Sequence, residues 1–285
     1  MKIVFKTLVL VAAFAFGGAF AAQAAEGEAG HTQHYPIKKP SYVNWTFAGP
    51  LGHYDEQQLQ RGLKVYMEVC AACHSMKKVA FRSLTELGYT EEQVKALAAT
   101  YTVTDGPNAD GEMFDRPAVP SDKFPGPYAN VEASTAANNG AYPPDMSLLA
   151  KARAVERGFP TFIFDIFTMY QESGPDYIHA LLNGYTDEIP EGVEVPEGAH
   201  YNPYFIAGPA LAMAAPISDD IVAYDDGTKA TTEQISQDVV AFLMWAAEPH
   251  LEERKETGFK VMMFLAVFAG LVFLLKRRIF ASVAH

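Results

Sequence analysis

The sequence contains very little cysteine: two residues among 285, Cys70 and Cys73. A framework of several disulfide bridges is therefore excluded, and so is a zinc site built from two cysteine pairs. A bridge between these two residues would close a very short loop and would contribute little stability. Packing and any cofactor must therefore hold the domain together.

Both cysteines lie in one pentapeptide, Cys70-Ala71-Ala72-Cys73-His74. The pattern C-x-x-C-H is typical of covalent haem c attachment, since thiols three residues apart on a helix share one face and can add to one porphyrin. His74 can then supply a nitrogen to the iron. A dithiol redox site shares the C-x-x-C spacing but expects a βαβ setting, whereas the preceding residues indicate an amphipathic helix. The motif therefore predicts one covalently bound haem c.

Basic residues are also scarce, with 22 Lys and Arg against 34 Asp and Glu and a formal net charge of −12. This balance argues against nucleic acid as a partner and favours a cationic protein, attracted by electrostatic steering. An acidic, Pro- and Gly-rich run covers residues 186–200. It is either a solvated loop or a docking surface. Its acidic residues are Asp187, Glu188, Glu191, Glu194 and Glu197.

The first residues are typical of a secretory signal peptide. Lys2 and Lys6 form a basic start, an apolar stretch covers residues 8–20, and Ala22-Gln23-Ala24 matches a cleavage site. A first transmembrane helix is the alternative, but the apolar stretch is short and ends in small residues. We therefore expect residues 1–24 to be removed and the mature chain to lie outside the cytoplasm, where haem c is attached.

A second apolar run lies near the C-terminus. Residues 261–275 contain no polar or charged side chain, although this run is shorter than the ~20 residues of an ordinary membrane span. A basic cluster follows at once, which puts the C-terminus in the cytoplasm. A buried core helix is the alternative. We predict a single-pass inner-membrane anchor over 257–278, a cytoplasmic tail over 279–285 and a periplasmic haem domain over 25–256.

Hydrophobic periodicity between the two ends predicts a mainly α-helical c-type cytochrome domain with long loop insertions. An amphipathic helix begins after Asp55 and leads into Cys70, and Gly62 beside its apolar face indicates close approach of another backbone. A late amphipathic helix covers 231–248 and can cross the first. Further helices are predicted over 91–100, 148–157, 159–171 and 176–183, an extended lead-in without a core over 25–54, and irregular chain over 104–144.

The second iron ligand is left open by the pattern. Met213 is favoured because it lies in the small-residue run 210–216, which can lie flat against a porphyrin. A Met/His pair suits electron transfer, whereas an open iron position suits a sensor or a peroxidase. The alternatives to Met213 are Met113, Met146, His179 and His200.

Several longer segments match a known family. They lie at residues 58–66, 70–76, 143–147, 152–154, 176–178, 182–185, 201–205, 212–214, 225–228 and 238–249. In these segments the chain resembles cytochrome c1 of the cytochrome bc1 complex, in its alphaproteobacterial and mitochondrial form. The resemblance covers most of the exported body and the anchor.

The resemblance implies roles for particular residues. It implies that Met213 is the sixth ligand and that Arg153 pairs with a haem propionate through a charge-assisted hydrogen bond. It also implies that Tyr177, Pro144 and Phe205 line the haem pocket, with ordinary core packing as the alternative for each. Bacterial members of that family often carry a further cysteine pair that fixes the loop before the ligand methionine. This chain lacks that pair, so what holds the loop is left open.

The resemblance also implies partners. The chain would be a subunit of a quinol:cytochrome c oxidoreductase in respiratory or photosynthetic electron transfer, together with cytochrome b and a Rieske iron–sulfur subunit. It would take electrons from the Rieske subunit and pass them to a soluble, cationic c-type cytochrome, with no substrate chemistry of its own. The alternative function is that of a free-standing, membrane-anchored haem protein that senses a small ligand or acts as a peroxidase.

Overall fold

The computed structural model describes residues 37–153 and 173–281. The predicted signal peptide at 1–24, the predicted helix at 159–171, the second half of the predicted helix at 148–157 and the last residues of the tail lie outside this range. Within it, helices dominate and strands are short. The prediction of a mainly α fold with one long apolar C-terminal helix is therefore confirmed.

The secondary structure is as follows. The helices are α1 (Glu56–Glu68), α2 (Glu91–Ala98), α3 (Val131–Ala137), α4 (Leu149–Ala152), α5 (Ser173–Asn183), α6 (Thr232–Ala247) and α7 (Leu251–Ile279). Short 3₁₀ turns cover Cys70–Ala72, Phe81–Leu87 and Met146–Leu148. The strands are β1 (Thr102–Asp105), β2 (Phe114–Pro117), β3 (His200–Tyr201) and β4 (Ala210–Leu211). They form two antiparallel pairs, β1 with β2 and β3 with β4.

The centre of the domain is the crossing of α1 and α6. Gly62 of α1 faces α6 so closely that an added Cβ would lie 2.1 Å from the Asp238 carbonyl oxygen and 2.6 Å from Cβ of Phe242. The expectation that Gly62 allows close approach of another backbone is thereby confirmed. Apolar side chains of both helices fill the core around this contact, among them Leu59, Leu63, Tyr66, Val239, Phe242 and Leu243.

Side chains at the helix starts explain where the crossing helices begin. The Asp55 carboxylate accepts hydrogen bonds from the backbone N–H groups of Gln57 and Gln58, at 2.9 and 3.2 Å. The Thr231 hydroxyl accepts one from the N–H of Gln234 at 3.2 Å. Such caps satisfy donors that the first helical turn leaves unpaired. Both helices therefore begin where the sequence predicts.

The sequence-based prediction is wrong in three segments. Ser173-Gly174-Pro175, which the sequence predicts to break a helix, is itself helical and is part of α5. The segment 104–144 holds most of the β1–β2 hairpin and α3, whose strands are too short for a clear periodicity. In the lead-in, Trp45 and Phe47 are 4% and 1% exposed and stack on each other at 5.4 Å between ring centroids. These residues belong to the core.

Helix α7 is long and apolar enough to cross a membrane, and in the described part of the chain it is the one helix with that property. Its most apolar stretch is entirely unburied. Its first turns, by contrast, contact the body. The Lys255 ammonium donates to the carbonyl oxygens of Phe47 and Gly52 at 2.7 and 3.0 Å, and Glu252 accepts from the N–H of Tyr54 at 2.7 Å. The first turns of α7 are thus attached to the domain by hydrogen bonds.

Candidate haem-binding site

The two cysteines lie just beyond the end of α1, in the 3₁₀ turn Cys70–Ala72 and immediately after it. The N–H groups of Cys73 and His74 both donate to the Cys70 carbonyl oxygen, at 3.1 and 2.9 Å. In a 3₁₀ turn, side chains three residues apart eclipse each other. The expectation of an α-helical setting is therefore wrong for the motif itself, yet the two cysteines are close enough for Cys73 to contribute to the raised pKa of Cys70.

Neither thiol is in a disulfide, and their environments differ. Cys73 is exposed, while Cys70 packs against the core. Burial, and secondarily the neighbouring Cys73, raises the pKa of Cys70 to about 12. Dithiol oxidoreductases need the opposite, a thiol whose pKa is lowered so that it attacks as a thiolate. The pair therefore fits covalent attachment of a porphyrin better than disulfide exchange.

His74 is held by the backbone of a distant segment. Its Nδ1 lies 2.8 Å from the carbonyl oxygen of Pro144. A carbonyl oxygen only accepts, so Nδ1 carries the proton and Nε2 keeps its lone pair. Burial lowers the pKa of His74, against the opposing effects of the Pro144 hydrogen bond and the Asp145 charge. A neutral ring with a free Nε2 and an oriented Nδ1–H is the state in which histidine binds a metal.

Asp145 fastens this segment to the residues after His74. Its carboxylate accepts from the Ser75 hydroxyl at 2.8 Å, the Lys77 N–H at 2.9 Å and the Ser147 N–H at 3.0 Å. Burial alone would raise the pKa of Asp145, but the hydrogen bonds from Lys77, Ser147 and Ser75 outweigh it and lower the pKa. Sequence reasoning missed this residue. The available signal is Asp followed two residues later by Ser, typical of an Asx turn.

Met213 lies on a loop that is joined to the end of α5. The Tyr185 hydroxyl donates to the Met213 carbonyl oxygen at 3.1 Å. The loop begins with the β3–β4 pair and contains Asn202, which is fully buried. The Asn202 amide donates to the Leu181 carbonyl oxygen at 2.8 Å and accepts from the Tyr204 N–H at 3.0 Å. These contacts answer the question of what holds the loop of a chain with no further cysteines.

The other predicted pocket residues lie on α5, after Asn202 and at the end of α4. Tyr177 is on α5, 3% exposed, and its proximity, after burial, contributes to the raised pKa of Tyr185. The half-buried Phe205 lies three residues after Asn202 and donates its N–H to the Asn202 carbonyl oxygen at 3.1 Å. Arg153 is exposed at the end of α4. Its pairing with a propionate stays a prediction.

Two of the four alternatives to Met213, His179 and Met113, are poorly suited to bind iron. His179 has both ring nitrogens engaged, Nδ1 with the Ser236 hydroxyl at 2.9 Å and Nε2 with Glu233 at 3.2 Å. Met113 lies between β1 and β2 and is 60% exposed. Met146 and His200 remain alternatives: the first is buried beside Asp145, the second exposed on β3.

The acidic run after Tyr185 is a surface feature. All its acidic side chains, Asp187, Glu188, Glu191, Glu194 and Glu197, are exposed. It joins α5 to β3, so it lies between the helix that contacts the Met213 loop and the strand with which that loop begins. A protein that docks here would meet negative charge next to the candidate site.

Comparison with known proteins gives a consistent result. The sequence profile of the Cytochrome C1 family matches residues 45–283. The cytochrome b/c1 of Bradyrhizobium diazoefficiens is 54% identical over 247 residues, which is 86% of this chain but 36% of that longer protein. The cytochrome c1 of Rhodospirillum rubrum is 44% identical over 257 residues, covering 85% of this chain and 88% of the relative. A mitochondrial cytochrome c1 of Solanum tuberosum is 48% identical over 248 residues, covering 87% and 86%.

Proposed function

The chain belongs to the cytochrome c1 family, and we propose that it is the single-haem, membrane-anchored subunit of a quinol:cytochrome c oxidoreductase. In this role it passes electrons from a Rieske iron–sulfur subunit to a soluble c-type cytochrome. Two kinds of support carry the proposal: the family membership, and the hydrogen bonds that hold the His74 ring and the Met213 backbone. Quinol oxidation belongs to the partner subunits, and this chain makes and breaks no substrate bond.

Cys70 and Cys73 would hold the haem c through two thioether bonds, and His74 and Met213 would be its iron ligands. When bound, the haem supplies one reversible electron transfer at its iron. The observation that carries this assignment is the 2.8 Å contact between His74 Nδ1 and the Pro144 carbonyl oxygen. It fixes the imidazole with Nε2 free, at the residue that follows two unpaired thiols.

The remaining pocket residues would shield and orient the group. Tyr177 and Phe205 would form apolar walls, and Pro144 would contribute its ring in addition to its carbonyl oxygen. Arg153, exposed at the end of α4, would pair with a propionate in a charge-assisted hydrogen bond.

The exposed acidic residues at 187–197 would receive the soluble, cationic c-type cytochrome. Opposite charges raise the rate of encounter more than the final affinity, which suits a carrier that must also leave quickly. Cytochrome b and the Rieske subunit would be the partners within the membrane complex. The relative named cytochrome b/c1 supports the first of these, since its name joins both proteins.

The proposed location follows from the chain ends. Residues 1–24 would direct export and be removed, and residues 25–256 would form the haem domain in the periplasm. Residues 257–278, which lie within α7, would span the inner membrane. Lys276, Arg277 and Arg278 would face the cytoplasm, followed by the short tail to 285.

Carbon monoxide separates this function from that of a ligand sensor or peroxidase. We expect the reduced protein to bind it slowly and incompletely at neutral pH, because a methionine ligand must first leave. Met213→Leu should lose the near-infrared sulfur-to-iron band and bind carbon monoxide rapidly. The matched control is Met113→Leu, since the Met113 side chain is 60% exposed between β1 and β2.

Two further measurements complete the test. An alkaline pyridine spectrum and acid-acetone extraction should report one covalent haem per chain. Rapid mixing of the reduced protein with an oxidised, cationic mitochondrial-type cytochrome c should transfer one electron. The proposal is wrong if the colour is extracted, if the wild-type protein binds carbon monoxide rapidly, or if no electron passes.

A further inference from the structure

Tyr185 reaches the backbone of the proposed ligand residue from outside its loop. Its hydroxyl donates to the Met213 carbonyl oxygen at 3.1 Å, across 28 positions of sequence. The residue stands two positions beyond the end of α5 and is half-buried, with its ring edge-on to His200 at 6.5 Å between centroids. A carbonyl oxygen only accepts, so the phenolic hydroxyl of Tyr185 is the donor in this contact.

The Met213 loop needs such a contact. Its β-pairing joins His200 to Leu211 and Tyr201 to Ala210, and ends there. The Met213 carbonyl therefore lies two residues beyond the last paired position. A methionine side chain has three rotatable bonds and is flexible, so a mobile backbone would add to the range of positions that its sulfur can take.

The start of the same loop is fixed to α5 independently. Asn202, 0% exposed, donates to the Leu181 carbonyl oxygen at 2.8 Å, and Gly184 lies so close that an added Cβ would be 2.9 Å from the Asn202 amide oxygen. The end of α5 thus holds the loop at two places: Asn202 before the β4 strand and Tyr185 after it. Of these, only the second acts on the residue proposed to bind iron.

We propose that Tyr185 is a positioning residue for the methionine ligand. By holding the carbonyl oxygen of Met213, its hydroxyl keeps the loop in the conformation from which the thioether meets the iron, and slows its departure. The proposal rests on the proposed role of Met213 as the sixth ligand. His74 is likewise held by a hydrogen bond to a backbone carbonyl oxygen, so both proposed iron ligands would be positioned by backbone contacts.

The variant that tests this is Tyr185→Phe in the full-length holoprotein, which removes the hydroxyl and keeps the ring. A hydrogen bond of this type shifts an equilibrium by roughly two- to tenfold. Because carbon monoxide binds only when the methionine has left, its observed rate of binding should rise by the same factor. The near-infrared sulfur-to-iron band should disappear at a lower concentration of guanidinium than in the wild type.

The matched control is Tyr101→Phe. Tyr101 is also half-buried, and its ring packs on Phe81 and Phe124, 5.1 and 5.7 Å between centroids. This variant should keep the wild-type rate of carbon monoxide binding. Helical circular dichroism in guanidinium, followed for both variants, reports the stability of the whole domain separately from that of the ligand.

The outcomes separate the two proposals. If Met213→Leu loses the near-infrared band while Tyr185→Phe binds carbon monoxide at the wild-type rate, Met213 is the ligand and Tyr185 does not position it. If Tyr185→Phe lowers only the global unfolding midpoint, the hydroxyl is merely structural and the inference is overturned. If Met213→Leu keeps the band, the ligand assignment itself fails, and the role of Tyr185 fails with it.

Discussion

Replacing Gly62 with alanine tests the helix crossing on which the domain is built. The new Cβ would lie 2.1 Å from the Asp238 carbonyl oxygen and 2.6 Å from Cβ of Phe242, whereas ordinary van der Waals contacts begin near 3.4 Å. Both obstacles are fixed, one as backbone and one as the first side-chain atom of a buried residue. Helices α1 and α6 must therefore separate.

Two opposing effects determine how much the free energy of unfolding falls in the Gly62→Ala variant. Alanine favours a helix over glycine by about 1 kcal/mol. Overpacking a dense core costs about 1–3 kcal/mol and sometimes more, and a contact as short as 2.1 Å belongs at the upper end. The net loss should be about 1–2 kcal/mol, which for a domain of this size lowers the melting temperature by roughly 2–8 °C.

The assay is thermal unfolding of the holoprotein, followed by helical circular dichroism and the Soret band. The matched control is Gly258→Ala in α7, where an added Cβ meets nothing within 4 Å. That variant should melt at the wild-type temperature or slightly above it. A Gly62→Ala protein as stable as the control would refute the claim that close backbone contact, and not flexibility, explains this glycine.

Further predictions concern the other anchors of the site. The pKa of Asp145 is lowered in the folded chain. Its contribution to stability is therefore present above its ordinary pKa and is lost as the pH falls through the lowered value. Asp145→Asn should make the stability depend less steeply on pH in that range, as measured by acid unfolding. Asn202→Ala leaves the Leu181 carbonyl and the Tyr204 N–H without their partner, which should cost about 1–3 kcal/mol in guanidinium unfolding; an unchanged midpoint would contradict this. Neutralising the acidic residues at 187–197 should slow electron transfer to a cationic cytochrome about tenfold or more at low salt and little at high salt, as measured by rapid mixing.

Local signals in the sequence predicted the frame of the molecule correctly. The crossing helices show a clear 3.6-residue periodicity and have side-chain caps at Asp55 and Thr231, so their type and starts could be predicted. Gly62 in an apolar helix face was an equally direct signal. The pentapeptide from Cys70 to His74 marked the centre of the site, because the chemistry of haem attachment requires adjacent residues in the chain.

The contacts that orient the site were not predictable in the same way. The carbonyl oxygen of Pro144 lies 70 positions from His74, and backbone atoms have no identity that a sequence pattern can reveal. The contact between the Tyr185 hydroxyl and Met213 was not predictable either, because its acceptor is again a backbone carbonyl oxygen. Trp45 was misjudged because a single aromatic residue in extended chain has no periodicity, and its burial depends on where distant helices pack.

The attachment of α7 has a mechanical consequence. Lys255 lies one helical turn beyond the start of that helix and is hydrogen-bonded to two carbonyl oxygens of the body, while Glu252 holds the N–H of Tyr54. Helix α7 and the domain are therefore connected rigidly and not through a flexible linker. Tilting the domain would break charged contacts, so its height above the lipid surface is set by the protein itself. If the domain holds a haem as proposed, its redox partners would have to move to it, because this attachment does not let the domain swing towards them.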